Sequence, residues 1–282
     1  MGSPVAIFAG RGDLPGKVAQ ALAESGRNAV VAGLASETVE RPPGVPFVDF
    51  RIERLGALFH ALRSRGVTQV VFAGGIDRPR IDPRRFHLKT ASLLPRMFRA
   101  LRGGDDTALR IVIDIFRHEG FDVIGVHEVL SDLLLPAGCL TRAEPSDVDR
   151  RDAARAAEIV AALSAVDIGQ GAVVAQGVAL AVEAVPGTDV MLEWVAETAG
   201  AWRPDPDAAR GVLFKGPKTG QERRIDLPVI GPRTVAGVQR AGLSGIVIAQ
   251  DGVMVLDPKA VVAACDTAGL FLWVRPEDEG KA

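Results

Sequence analysis

VAIFAGRGDLPG (residues 5–16) decides the reading of the first half of the chain: five apolar residues run into a glycine loop, and Pro15 stands where a helix opens. Proline costs little at a first helical position, because the amide hydrogen it lacks has no partner inside the helix. The same alternation recurs outward from this stretch. Apolar segments AVVAGL (29–34), VPFVDF (45–50), QVVFAG (69–74) and DVIGV (122–126) are separated by amphipathic helical stretches near residues 15–26, 53–65, 90–102 and 105–119. Strands interleaved with helices close into a parallel sheet covered by those helices. The expected fold class is α/β: an N-terminal Rossmann-like open parallel sheet with helices over residues 1–135, followed by a C-terminal α+β domain.

Between the halves, Pro136, Gly138 and Pro145 punctuate a polar stretch, so residues 136–145 read as a linker. Ser146 and Asp149 then form a capping signal for a helix over 147–165. The second domain, 146–282, becomes strand-rich, with hairpin signals at AVVAQGVALAVE (172–183, ending at Glu183) and GIVIAQDGVMVLD (245–257). Their likeness hints at an internal repeat, but it spans only a dozen residues, and two unrelated hairpins account for it better.

Composition narrows the function. Of 282 residues 48% are hydrophobic and 24% charged, with 33 Lys/Arg against 35 Asp/Glu, so the chain is globular and not a solvated tail. Its balance gives no basic footprint for nucleic acid. The charge divides unevenly: residues 1–140 carry 18 basic and 15 acidic side chains, and the remainder 15 and 20. Cys139 and Cys265 are too few for a disulfide framework or a thiolate zinc site and fit a reducing compartment. No leader-like segment opens the chain and no apolar run reaches about 18 residues, so the expectation is a cytoplasmic protein whose membrane contact is peripheral.

Several places bear chemistry. Gly10-Arg11-Gly12 can bring backbone amides close to a phosphate at a helix start, although the GxGxxxG spacing departs from the dinucleotide fingerprint and a tight turn serving only the fold reads equally well. Gly74 and Gly75 follow the fourth strand and lead into residues 77–102, where eight Lys/Arg accompany two acids. That stripe suits a phosphorylated ligand or an anionic lipid surface, or is a solvated helix face. Asp105 and Asp106 read as helix-capping acids, and beside the basic stretch either also suits a ligand hydroxyl or a metal-bound water.

In the second half, Asp167-Ile-Gly-Gln170-Gly171 precedes a strand, and Thr188 or Asp189 is expected to cap a helix beginning in PGTD, whose start also suits a phosphate. A strand then ends at Lys215, and Lys218, Arg223, Arg224 and Asp226 follow. Cations interleaved with a carboxylate suit pyrophosphate chemistry, since basic groups offset phosphate charge while a carboxylate holds Mg²⁺ or orients water; a solvated polar loop is the alternative. The four histidines, His60, His87, His118 and His127, form no metal-ligand pair and read as surface or cap residues. GxSxG, GxxxxGK[ST] and CxxC are absent, which argues against an α/β-hydrolase, a P-loop NTPase and a thiol oxidoreductase. A nicotinamide enzyme would need an acid directly after the second strand, and Glu37 comes late for that role.

Taken together, AGRGDLP, GGDDTALRIVIDIFRHEGFDVIG, DIGQGAVVAQGVALAVEAVPGTDVML and GVLFKGPKTGQERRIDLPVIGPRTV resemble one family across nearly the whole chain. It is the metal-dependent UDP-2,3-diacylglucosamine pyrophosphatases of lipid A biosynthesis, distinct from the calcineurin-like enzyme. The resemblance implies a two-domain hydrolase that uses Mg²⁺ to cleave UDP-2,3-diacylglucosamine to UMP and 2,3-diacylglucosamine 1-phosphate (lipid X) at the cytoplasmic face of the inner membrane. It implies that Asp226, in Arg224-Ile-Asp226-Leu-Pro228, is the catalytic carboxylate and metal ligand. Arg11, Gly12, Gly74 and Gly75 would hold nucleotide or phosphate, and Gln170, Thr188 and Lys215 the diphosphate and sugar. Closure of the two domains over an amphiphilic substrate is the accompanying expectation.

Overall fold

The structure, a computed structural model, describes residues 3–39, 41–75, 105–205, 207–218 and 220–276. Helix 90–102 and the basic stripe of 77–102 lie outside the described residues. The chain forms two units, Met1–Ser131 with Glu222–Asp226, and Asp132–Gln221 with Leu227–Ala282.

The first unit is built as the alternation predicts. Strands β1 (Val5–Ala9), β2 (Ala29–Leu34), β3 (Phe47–Phe50), β4 (Gln69–Ala73) and β5 (Asp122–Ile124) form one sheet in the order β3-β2-β1-β4-β5. Every pairing is parallel; Val5 lies opposite Ala29 on one side and Gln69 on the other. The intervening helices are α1 (Leu14–Glu24), α2 (Leu55–Arg63), α3 (Asp105–His118) and the single turn α4 (Val126–Val129). All five residues of β1 are buried, as a strand covered on both faces requires. The core gathers around Phe116 of α3, whose ring meets Phe8 edge-on at 4.7 Å and Phe59 at 5.2 Å. This packing favours the positive ring edge over the negative face.

The second unit has six strands in one sheet, ordered β6-β13-β11-β9-β7-β8. In chain order its elements are β6 (Gly138–Cys139), α5 (Asp147–Ser164), β7 (Gly171–Ala175), β8 (Val178–Val182), α6 (Gly187–Glu197), β9 (Val212–Lys215), β10 (Val229–Ile230), α7 (Pro232–Arg240), β11 (Gly245–Ala249), β12 (Met254–Val255), α8 (Pro258–Ala268) and β13 (Phe271–Arg275). The central strands β9, β11 and β13 are parallel, while β6, β7 and β8 each run antiparallel to the neighbour they join. Alternate side chains serve opposite faces: Val173, Leu213 and Ile246 pack with Leu192, Val238 and Val261 of α6, α7 and α8, whereas Val174, Phe214 and Trp273 pack with Ala153 and Ala156 of α5.

Two expectations need correction. Residues 136–145 are not merely a linker, because Gly138 and Cys139 pair with Val274 and Trp273 at the edge of the second sheet. The segment 245–257 is not a hairpin: β11 lies between β9 and β13, while β12 pairs in parallel with β10 in a separate two-stranded sheet. The hairpin at 172–183 does form, as β7 and β8. The capping box at α5 also forms, with Asp149 N–H donating to Ser146 Oγ at 3.3 Å and Ser146 N–H to the Asp149 carboxylate at 3.0 Å. No helix among the described residues is long and apolar enough to cross a membrane.

Cys265 lies on the buried face of α8, and burial together with Asp266 pushes its thiol up to about 12. The turn of the β7–β8 hairpin is held from α5: buried Asp152 accepts the N–H groups of Gln176 at 2.8 Å and Gly177 at 2.7 Å. Charge-assisted bonds of this kind contribute about 1.5–3 kcal/mol each, and their loss leaves donors unpaired. Asp152→Ala is expected to destabilise the protein by about 2–4 kcal/mol, read as a lower urea midpoint; an unchanged midpoint would show the turn to be held by other means.

Candidate functional site

In the first unit the sheet order reverses direction at β1, which lies between β2 and β4. Loops leaving such strands at their carboxyl ends form the crevice where open α/β sheets bind ligands. The two loops here carry Gly10-Arg11-Gly12 and Gly74-Gly75, and they are stitched together: Gly10 N–H donates to Ala73 O at 2.8 Å, Arg11 N–H to Gly75 O at 2.8 Å and Gly75 N–H to Arg11 O at 3.2 Å. A Cβ on Gly10 would stand 2.4 Å from Gly75 O, and one on Gly74, where φ is +89°, 2.5 Å from Arg11 O. These glycines are therefore required by backbone approach within the fold, whatever else they do. Gly12 has φ +93° with open space beside it, and Arg11 Nη1 pairs with Glu37 at 3.1 Å. Glu37 thus faces an arginine of the loop, a pairing the sequence did not announce.

Residues Glu222–Asp226 belong to this unit although their flanks belong to the other. They make one helical turn, with Ile225 N–H and Asp226 N–H donating to Glu222 O at 3.2 and 3.1 Å. Ile225 packs against the phenylalanine core. Arg224 grips both oxygens of Glu222, Nε to Oε1 at 2.7 Å and Nη2 to Oε2 at 2.6 Å. The Glu222 carboxyl is held below its ordinary range, chiefly by that bond, and the Arg224 guanidinium is raised by the same partner. The turn is thereby pinned by an apolar side chain and an ion pair, and Asp226 follows half-buried at its end.

Among the described residues no three or more His, Cys, Asp or Glu cluster as a preformed metal cage. Asp226 offers the kind of oxygen donor that Mg²⁺ takes, since that ion is typically held by one or two carboxylates together with substrate phosphates and water. His127 in α4 is neither a plain surface residue nor a cap: its Nδ1 is buried with no hydrogen-bond partner among the described residues, and its ring lies against Gly125.

In the second unit, three sequence-selected residues and one that sequence reasoning passed over come together at one edge of the sheet. Lys215 ends β9 opposite Gly171, which begins β7, and Gly216 N–H donates to Gln170 O at 3.0 Å. The Lys215 side chain is buried; its Nζ donates to Thr188 Oγ1 and lies 3.5 Å from Glu183 Oε2. Neither Thr188 nor Asp189, the two expected candidates, is the helix cap. Pro186 holds that position, α6 has no side-chain cap, and the threonine hydroxyl turns to the ammonium. Nearby Lys218 Nζ pairs with Asp167 Oδ1 at 2.7 Å, and Gln221 Oε1 accepts Lys218 N–H at 2.8 Å.

Glu183 is the residue missed. Its only sequence signal was an acid closing an otherwise apolar strand, in register with the glycines of DIGQG. It is buried, and its Oε2 has no hydrogen-bond partner among the described residues. The two loops that enclose it also expose apolar side chains to solvent: Val166 and Ile168 in one, Val185 in the other. A buried charged cluster beside exposed aliphatic groups suits an amphiphile.

Comparison with known proteins agrees with this division. Residues 4–133 match the LpxI N-terminal domain family and residues 136–273 the LpxI C-terminal domain family. The chain is 41% identical over 276 residues to the UDP-2,3-diacylglucosamine pyrophosphatase LpxI of Caulobacter vibrioides, covering 96% of this chain and 98% of that protein. Among solved structures, a GalE-like L-threonine dehydrogenase from Cupriavidus necator aligns over 99% of this chain and 88% of its own at 11% identity, with a TM-score of 0.31. So low a score carries no argument.

The Glu222–Arg224 pair can be tested by titration. The Glu222 carboxyl is expected to titrate below a free glutamate in the wild type by NMR and to rise towards the ordinary value in Arg224→Met. Because its folded value is depressed, any stability it contributes is present above the unfolded value and fades as pH falls through the folded one. A Glu222 titration indifferent to Arg224 would remove the ion pair as a cause.

Proposed function

The chain belongs to the LpxI family, and from that premise we propose that it hydrolyses the pyrophosphate bond of UDP-2,3-diacylglucosamine, releasing UMP and 2,3-diacylglucosamine 1-phosphate. What carries the reading is the end-to-end likeness to a UDP-2,3-diacylglucosamine pyrophosphatase; each unit separately offers groups that suit the chemistry, the first a carboxylate on a pinned turn and the second a buried ammonium next to a hydroxyl.

Water attacks the phosphorus on the sugar side. A new P–O bond forms to the water oxygen, the bond to the bridging oxygen breaks, and UMP departs with that oxygen. Asp226 orients the water and accepts its proton, and it would be the protein ligand of Mg²⁺, which when bound offsets the charge of the diphosphate. Lys215 and Thr188 take phosphate oxygens, a role for which a buried ammonium is well placed because low polarity strengthens its field. Gln170 lies beside them on the sugar. The loops of Arg11, Gly12, Gly74 and Gly75 hold the nucleotide at the carboxyl edge of the first sheet.

The acyl chains lie on the exposed valines and isoleucine around Glu183, and the protein works as a peripheral enzyme on the cytoplasmic face of the inner membrane. Each buried methylene contributes about 0.8 kcal/mol, so two acyl chains supply ample adhesion. A lipid- or nucleotide-binding protein without catalysis would use the same loops but has no need of Asp226.

Purified wild type with UDP-2,3-diacylglucosamine and Mg²⁺ is expected to release UMP. Asp226→Ala should lose about 10²–10⁴-fold in kcat while its melting temperature stays close to wild type. In ¹⁸O-labelled water the label should appear in the sugar phosphate. Full activity of the variant would remove the role given to Asp226, and label in UMP would reverse the direction of attack.

A further inference from the structure

The DIGQG stretch and Glu183 are shaped around each other. Gly169 adopts φ +51°, and a Cβ there would fall 1.9 Å from the Glu183 carbonyl oxygen. A Cβ on Gly171 would fall 2.7 Å from Glu183 Oε2. One glycine admits the backbone of Glu183 and the other admits its carboxylate. The carboxylate so accommodated is met only in part: Oε2 is buried with no hydrogen bond among the described residues, and its one ionic partner among them, the Lys215 ammonium, stands at 3.5 Å while donating to Thr188. Buried acceptors are almost always satisfied in folded proteins, and one that is not commonly marks a place completed by something else.

The chemistry of the group restricts what completes it. An ionised carboxylate only accepts hydrogen bonds, so the missing partner is a donor. A bare phosphate or diphosphate would meet repulsion at Glu183 even while attracted to Lys215. A ligand satisfying both residues carries an oxyanion and, within a few ångströms of it, an O–H or N–H group. A phosphorylated sugar has that pairing, and a 2-acylamino sugar adds an amide donor.

We propose that Glu183 is a ligand-contacting residue, which accepts a hydrogen bond from a sugar hydroxyl or the acylamide N–H of the substrate while Lys215 holds the adjacent phosphate. The inference rests on the substrate assigned above and deepens it. Glu183 discriminates phosphorylated aminosugars from plain phosphate esters, because a buried site built for a donor penalises ligands that leave it unmet.

The test is steady-state kinetics of the full chain with UDP-2,3-diacylglucosamine, its 4-deoxy and 6-deoxy forms, and the analogue with an ester in place of the 2-amide. On wild type, one of the three analogues should lose about 10- to 100-fold in kcat/KM, the size expected for a hydrogen bond to a charged group. Glu183→Asp retains a carboxylate for Lys215 but ends one methylene short of the ligand; on it the parent substrate should fall by that factor and the same analogue should lose less than about threefold further. Glu183→Gln serves as the second variant, and melting curves show which of the two is folded. No analogue losing more than about threefold on wild type, a sensitive analogue that loses as much on Glu183→Asp as on wild type, or a folded variant indistinguishable from wild type on the parent substrate, overturns the inference. Hydrolysis of the parent substrate by wild type would stand in either case, so the two readings fail separately.

Discussion

The chemistry of the second unit depends on keeping a lysine ammonium inside the protein. Taking such an ion out of water costs several kcal/mol unless partners replace its hydration, and Lys215 is buried at the end of β9. Glu183 and Thr188 supply those partners, and the sheet order is what delivers them. In a purely parallel sheet, only strand ends and the loops that follow them meet at the carboxyl edge. Here β7 runs antiparallel between β9 and β8. The carboxyl ends of β8 and β9 therefore meet the start of β7 at one edge, and the loop before β7 brings its glycines there. One reversed strand assembles cation, carboxylate and glycine cradle without any long side-chain reach.

The turn carrying Asp226 is governed by a different balance. Its ion pair is partly solvated, with side chains of Arg224 and Glu222 exposed by 24% and 18%, and pairs of that kind contribute at most about 1 kcal/mol. Ile225 packs on the phenylalanine core, and burial of such a side chain contributes up to about 1.5–3 kcal/mol when complete. The apolar anchor thus decides where the turn belongs and the ion pair sets its shape. The carboxylate we propose as catalytic gains from this order of effects, because salt and pH perturb an apolar anchor far less than a charged one.

Most of the architecture was legible because it follows local periodicity. The buried strands of the first unit read as unbroken apolar runs, and helices α1, α2 and α5 fall within two residues of their expected bounds. The resemblance of long blocks in order also carried the family. What escaped was set by distance in sequence. Thr188 looked like a cap because threonine after Pro-Gly usually is one, and nothing local shows that Lys215, 27 positions on, claims its hydroxyl. Glu183 read as a strand-ending acid because its burial depends on glycines at 169 and 171. The glycines of the first unit carried the opposite ambiguity: their spacing suggested a phosphate loop, and the close approach of Gly10 to Gly75 gives them a purely architectural need as well.

The two segments that read alike make the same point from the backbone. In AQGV the residue Gln176 adopts φ +53°, and in AQDGV the residue Asp251 adopts φ +53° as well, so both chains do turn where the pattern says. After the first turn β8 returns along β7, because β7 has β9 on only one side and its other edge is vacant for pairing. After the second turn no such edge exists. β11 is already flanked by β9 and by β13, which arrives later in sequence, and Gln250 N–H donates to Arg275 O. β12 is therefore diverted to β10, where Met254 pairs with Val229. A hairpin signal specifies a reversal of direction; whether the returning strand finds a partner depends on which edges the rest of the chain has left open.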